Sequence, residues 1–164
     1  MVCSIAHMET KSFSEILQPR NVAVGAVAQD RREVIALLVD LLQIDGDELK
    51  REIRESVHHR EEVQTTGIGM GIAIPHGKGP IEGAILTSVV ITADGVDFGS
   101  VDGEPVSIFI LMVSRPDVAG PHVQALAHVA RLLGRRQFRQ DLRACRTPEE
   151  LVVLVKTSEL DQVS

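Results

Sequence analysis

Between Thr65 and Gly79 the chain reads Thr-Thr-Gly-Ile-Gly-Met-Gly-Ile-Ala-Ile-Pro-His-Gly-Lys-Gly, with five glycines in positions 67–79 around one histidine, His76. A neutral imidazole, with its ordinary pKa of about 6.5, is a nucleophile and a proton carrier at physiological pH. Glycines let the main chain fold tightly and aim N–H groups at an anion, which suits Gly67, Gly69 and Gly71. The chemistry this combination can do is attack on, or stabilisation of, a phosphate-like group. Glycine spacing alone also fits a loop that simply needs tight turns, and a lone histidine also fits a passive surface or core residue.

The surroundings narrow the choice. A dinucleotide-binding loop follows a strand and opens a helix, whereas these glycines run into the β-branched Ile72-Ala73-Ile74 and then Pro75. No Gly-Lys-Ser/Thr occurs, so there is no P-loop. Pro75 fixes its own φ and keeps Ile74 extended, so Ile72 to Ile74 reads as a short strand with His76 projecting at the turn beyond it. Gly77 leaves room for a partner surface to approach.

Other chemistries find less support. His58 and His59 are adjacent, and His122 and His128 are six apart rather than four, which is poor zinc-ligand spacing, so no metal is expected. Cys3 and Cys145 are the only cysteines and form no C-x-x-C pair; there is no Gly-x-Ser-x-Gly. Seventeen Lys plus Arg against twenty-three Asp plus Glu give a net charge of -6, a field that repels nucleic acid and anionic lipid. With no Trp, no Tyr and four Phe, stacking on bases is nearly excluded. No run of eighteen apolar residues occurs, and the amino-terminal end lacks a signal-peptide core, so the expected location is the cytoplasm. Arg131, Arg135, Arg139 and Arg143 recur at helical spacing and read as a solvated face that can also meet an acidic partner.

A chain of 164 residues that is 44% hydrophobic suits one core. Val22 to Val27 predicts a strand. Asp30 as N-cap with Glu33 three residues on predicts a helix over about 31–43, and Leu49, Ile53 and Val57 a second that ends near His59. Ile85–Thr92 and Val106–Val113 predict central strands, separated by turns at Asp94-Gly95 and Asp102-Gly103. Helices are expected from Pro121 to Gly134, from Gln137 to Ala144, and from Pro148 onward behind the N-cap Thr147. A sheet fed in that order needs helices on both faces, an α/β (α+β) arrangement.

The motif Thr66-Gly67-Ile68-Gly69-Met70-Gly71 followed by Pro75-His76-Gly77-Lys78 resembles the active-site signature of the enzyme IIA components of the bacterial phosphotransferase system, fructose–mannitol class. The resemblance extends upstream to Arg60-Glu61 and downstream to Pro121-His122, Leu126, Leu142-Arg143 and Pro148-Glu149-Glu150-Leu151, covering roughly residues 13–156. It implies a three-layer α/β/α sandwich around a mixed β-sheet. It also implies that His76 accepts a phosphoryl group from a histidine-containing phosphocarrier protein, with no metal, nucleotide or other cofactor. His122 and Arg60 match the family's second histidine and arginine, in positioning and stabilising roles, and Gly71, Pro75 and Gly77 are expected in a phosphate-binding loop. The mannitol branch carries an acidic residue at the position of Met70, so no role of that carboxylate transfers.

Residues 13–158 are expected to form the single enzyme IIA type-2 domain, with 1–12 a leader, Met8 a candidate natural start, and 159–164 a tail. With no membrane segment and no second domain to receive the phosphoryl group, the chain resembles the nitrogen-regulatory branch, which implies control of a target protein. Two alternatives stand beside it: a IIA subunit that phosphorylates a sugar-specific, fructose-type IIB subunit, and a binding module of this fold without the chemistry.

Overall fold

The structure, a computed structural model, describes residues 11–162. Cys3, Met8 and most of the expected leader lie outside the described residues. In chain order the elements are α1 (Phe13–Ile16), a 3-10 turn (Pro19–Asn21), β1 (Val22–Ala26), α2 (Arg31–Asp40), α3 (Asp47–Val63), β2 (Gly67–Gly69), β3 (Ile72–Ala73), β4 (His76–Lys78), β5 (Ile85–Val96), β6 (Val106–Ser114), α4 (Gly120–Gly134), α5 (Arg136–Ala144) and α6 (Pro148–Leu160).

The strands form one mixed sheet in the order β1-β5-β6-β3-β2, with β4 also on β6. β1 runs parallel to β5, β5 antiparallel to β6, and β3 and β4 parallel to β6. The two-residue period of a strand sorts β6 between two cores. Ile108, Ile110 and Met112 pack with α1 and α4–α6 on one face; Phe109, Leu111 and Val113 pack with α2 and α3 on the other. Such runs are apolar on both faces because helices cover both. The expected α/β/α sandwich around a mixed sheet is the fold of the chain.

Several boundaries differ from expectation. β5 runs through Asp94-Gly95, because both residues continue the strand toward the Val96–Val106 pair. α3 continues one turn past His59 to Val63, since nothing between them breaks a helix, and so Arg60 and Glu61 are helical. The glycine-rich segment is strand rather than loop. Ile72 pairs with Ile108 and His76 with Met112 at the same offset, so β3 and β4 run along the same edge of β6, interrupted at Ile74-Pro75, where proline offers no N–H, and β2 flanks β3 on its outer side.

α1 is held from afar. Glu159, in the last turn of α6 rather than in a tail, accepts from the N–H groups of Phe13 (2.9 Å) and Ser14 (3.0 Å) and bonds His128 Nε2 on α4 (2.6 Å). Burial alone would raise the Glu159 pKa, but these donors outweigh it and the carboxyl lies below its ordinary range.

Candidate active site

His76 opens β4 at the end of the interrupted edge, not at a turn, and is partly buried. Its Nδ1 lies 2.9 Å from the Ile74 carbonyl oxygen. A carbonyl only accepts, so this nitrogen carries the ring proton and Nε2 keeps the free lone pair. Ile74 is itself fixed, because its N–H donates to Thr66 O at 3.1 Å.

Thr66 in turn is fixed by α3. Glu61, 3% exposed, accepts from Thr66 N (2.8 Å) and from Thr66 Oγ1 (2.5 Å). A buried carboxylate thus anchors the segment that carries the nucleophile, with Arg31 Nη1 4.0 Å away. In the sequence Glu61 stands out only as the neighbour of Arg60, because an acidic residue five positions before a Thr has no periodic signature.

His122 stands in the first turn of α4 and is 8% exposed. Its ring centroid is 5.6 Å from that of His76, with 56° between the planes. Burial lowers its pKa to about 4, with further contributions from His76 and Lys78, so it is neutral at physiological pH. Burial also lowers the His76 pKa; the Ile74 carbonyl opposes this, Arg60 adds to it, and Glu61 opposes it. Arg60, in the last turn of α3, donates from Nη1 to Gln64 O at 2.8 Å and leaves the rest of its fork free for another acceptor.

The structure therefore brings the His76 and His122 rings together, with Pro75 buried beside His76, Lys78 two residues further along β4, and the charge of Arg60 bearing on His76. Gly77 is also there, for a reason other than partner access. An added Cβ would lie 2.9 Å from Val57 Cγ2 and 3.1 Å from Val57 N, so its missing side chain admits α3. Ser56 Oγ then accepts from Lys78 N at 2.9 Å.

Gly71 is elsewhere. Five extended residue steps separate it from His76, about 16 Å along the edge. There its carbonyl accepts from Ser107 N and Ile108 N at the opposite end of β6. Its φ of +75° and the Arg143 guanidinium, which donates to Met70 O (2.9 Å) and Ser107 Oγ (3.0 Å), explain the glycine. Three members of the arginine stripe are internal ties: Arg143 as above, Arg139 on Leu133 O and Gly134 O, and Arg135 on Ser158 O.

The family model described as phosphoenolpyruvate-dependent sugar phosphotransferase system, EIIA 2, matches residues 15–158. The chain belongs to this family. A nitrogen regulatory protein of Bradyrhizobium diazoefficiens is 35% identical over 140 residues, which cover 85% of this chain and 91% of that protein. A multiphosphoryl transfer protein of Escherichia coli O157:H7 is 32% identical over 143 residues, 87% of this EIIA chain but 17% of that protein. The fructose-specific EIIABC component of Bacillus subtilis is 26% identical over 147 residues, and the match spans 23% of its length. In fold, the nitrogen regulatory protein IIA-Ntr of Neisseria meningitidis superposes with a TM-score of 0.80 at 23% identity, covering 87% of this chain and 97% of that one. The mannitol IIA of Escherichia coli gives 0.70 at 20% identity over 85% and 98% of the two chains.

Proposed function

We propose that this EIIA-family chain takes a phosphoryl group onto Nε2 of His76 from a histidine-containing phosphocarrier protein and acts as a regulatory protein through its phosphorylation state. The observation that carries the proposal is the bond from His76 Nδ1 to the Ile74 carbonyl, which leaves Nε2 as the only nucleophilic nitrogen of the ring. As that lone pair bonds to phosphorus, the bond from phosphorus to the donor's nitrogen breaks and the donor keeps the electron pair. Positive charge grows on the His76 ring, and the Ile74 carbonyl stabilises it.

Phosphoryl transfer asks a protein mainly for position and charge stabilisation. His122 donates a hydrogen bond to a phosphoryl oxygen, Arg60 offers its free guanidinium donors, and the amino-terminal end of α4 adds its dipole. Both donor and acceptor atoms are imidazole nitrogens, so neither metal nor nucleotide has a part. No helix among the described residues is long and apolar enough to cross a membrane; the working location is the cytoplasm.

The regulatory role draws on a relative that the match covers over 91% of its length, the nitrogen regulatory protein of Bradyrhizobium. The relatives named for fructose and for multiphosphoryl transfer support a second reading, delivery of the phosphoryl group to a sugar-specific IIB partner. Incubation with phosphoenolpyruvate, enzyme I and either a sugar-type or a nitrogen-type phosphocarrier tests the first step. An acid-labile mass adduct on the wild type that is missing from His76→Ala is the expected result; no adduct with either carrier overturns it.

A further inference from the structure

Among the described residues, four buried side-chain nitrogen or oxygen atoms have no hydrogen-bond partner: Arg54 Nε, Thr92 Oγ1, Ser114 Oγ and His122 Nδ1. Buried polar atoms of this kind are rare because each costs free energy to desolvate. Two of the four, Ser114 Oγ and His122 Nδ1, sit on β6 and α4, elements that pack against each other. Ser114, 0% exposed, ends β6, and its parallel partner across the edge is Lys78. Along β6 the residues Ile108, Ile110 and Met112 face the helices α4–α6, and Ser114 continues that alternation. His76 pairs with Met112, so Ser114 stands two residues, about 7 Å, beyond the nucleophile's own partner, on the sheet face that carries His122. The charge of Lys78, its partner, is felt by His122.

We propose that Ser114 is a positioning residue whose hydroxyl donates to His122 Nδ1 and thereby keeps the His122 proton on Nε2. This rests on the phosphoryl-transfer reading of the site. A neutral imidazole has one N–H and one lone pair, and which nitrogen holds the proton is set by the bond the other makes. A hydroxyl swings about χ1 between three staggered positions, and one bond between these two atoms satisfies both. Since the His122 pKa of about 4 keeps the ring neutral, Nδ1 has a lone pair to offer whenever Nε2 is protonated. The resulting tautomer donates from Nε2. Without Ser114 the proton distributes between the two nitrogens, and the fraction of molecules that can donate to a phosphoryl oxygen falls.

Nitrogen-detected NMR of histidine side chains in the full chain tests this directly. In the wild type, His122 is expected as the Nε2–H tautomer with a hydrogen-bonded Nδ1. In Ser114→Ala the Nδ1 resonance moves to the unbonded position, the second tautomer gains population, the rate of phosphoryl acceptance falls about tenfold at unchanged KM for the phosphocarrier, and Tm falls by a few degrees while the variant stays folded at assay temperature. A Ser114→Cys variant, with a weaker donor, falls between the two. A wild-type His122 protonated on Nδ1, or His122 resonances that Ser114→Ala leaves in place, overturns the proposal. If the wild type takes no phosphoryl group at all, the parent reading fails, while the nitrogen resonances still decide the Ser114–His122 pairing.

Discussion

The rings of His76 and His122 lie 5.6 Å apart, centroid to centroid, and the two side chains arrive there from opposite ends of the fold's logic. His76 is delivered by a strand edge and His122 by the first turn of a helix that follows the neighbouring strand. At that separation two imidazolium charges repel, and both rings are desolvated, so both are held neutral. A pair of neutral imidazoles, one with a free lone pair and one able to donate, is what attack on a phosphoryl group requires.

His76→Ala should abolish phosphoryl acceptance and leave the fold intact, since the ring is only partly buried and its bond to Ile74 is local. His122→Ala should slow acceptance by about 100-fold, as loss of one donor to a developing charge does, while the nucleophile remains. Intact-mass kinetics with a phosphocarrier read both; unchanged kinetics in His122→Ala would remove that residue from the site.

The lowered pKa of His122 makes a prediction about acid stability. Its folded pKa of about 4 lies below the unfolded value of 6.5, so the unfolded state binds the proton first. Stability is fully present above pH 6.5 and is lost as pH falls from there to about 4, by about 3 kcal/mol in all. His122→Gln cannot titrate, so its denaturation midpoint should decline less steeply over that window than the wild type's. Equal slopes in urea titrations at pH 7, 6, 5 and 4 would count against the burial that the fold gives this ring. Phosphoryl acceptance should fall off at a lower pH than an unperturbed histidine would give, because burial also lowers the His76 pKa.

How much of this was legible in the sequence follows from the range of each interaction. The nucleophile and its glycine-rich approach lie within fifteen residues, and β5, β6 and the helices announce themselves by period; these reach the reader of a sequence. α1 does not, because it is four residues long and its amide groups are bonded to Glu159, 146 positions away. Gly71 and His76 look like neighbours in one loop, yet an extended chain carries them to opposite ends of a sheet edge. Glu61 and Ser114 carry no motif, and only the pairing of α3 with Thr66 and of β6 with β4 gives them a place.

Glu61 supplies a prediction that separates anchoring from chemistry. Glu61→Ala leaves the Thr66 N–H and hydroxyl without their acceptor in a buried position, which should cost about 2–3 kcal/mol of stability. Because Thr66 O holds Ile74 N, and Ile74 O holds the His76 ring, acceptance should also slow. Glu61→Gln keeps an acceptor for one of the two donors and should fall between. Urea denaturation gives the first effect and phosphorylation kinetics the second; a destabilised variant with wild-type kinetics would break the link from α3 to the nucleophile.

Gly77 and Gly71 make a matched pair for testing which glycines serve the site. In Gly77→Ala the new methyl group meets Val57 Cγ2 at 2.9 Å and the Val57 backbone nitrogen at 3.1 Å, and neither can move without shifting α3. Overpacking there should cost about 1–3 kcal/mol and displace β4, so stability and phosphoryl acceptance fall together. In Gly71→Ala the methyl group meets Arg143 Nη2 at 2.5 Å, the end of a flexible side chain, but φ is +75°, a conformation that costs about 1–2 kcal/mol for an L-residue. That loss should appear in the Tm alone, with acceptance at the wild-type rate, because Gly71 sits about 16 Å along the edge from His76. Slowed phosphorylation in Gly71→Ala at a temperature where the variant is fully folded would return this glycine to the phosphate site.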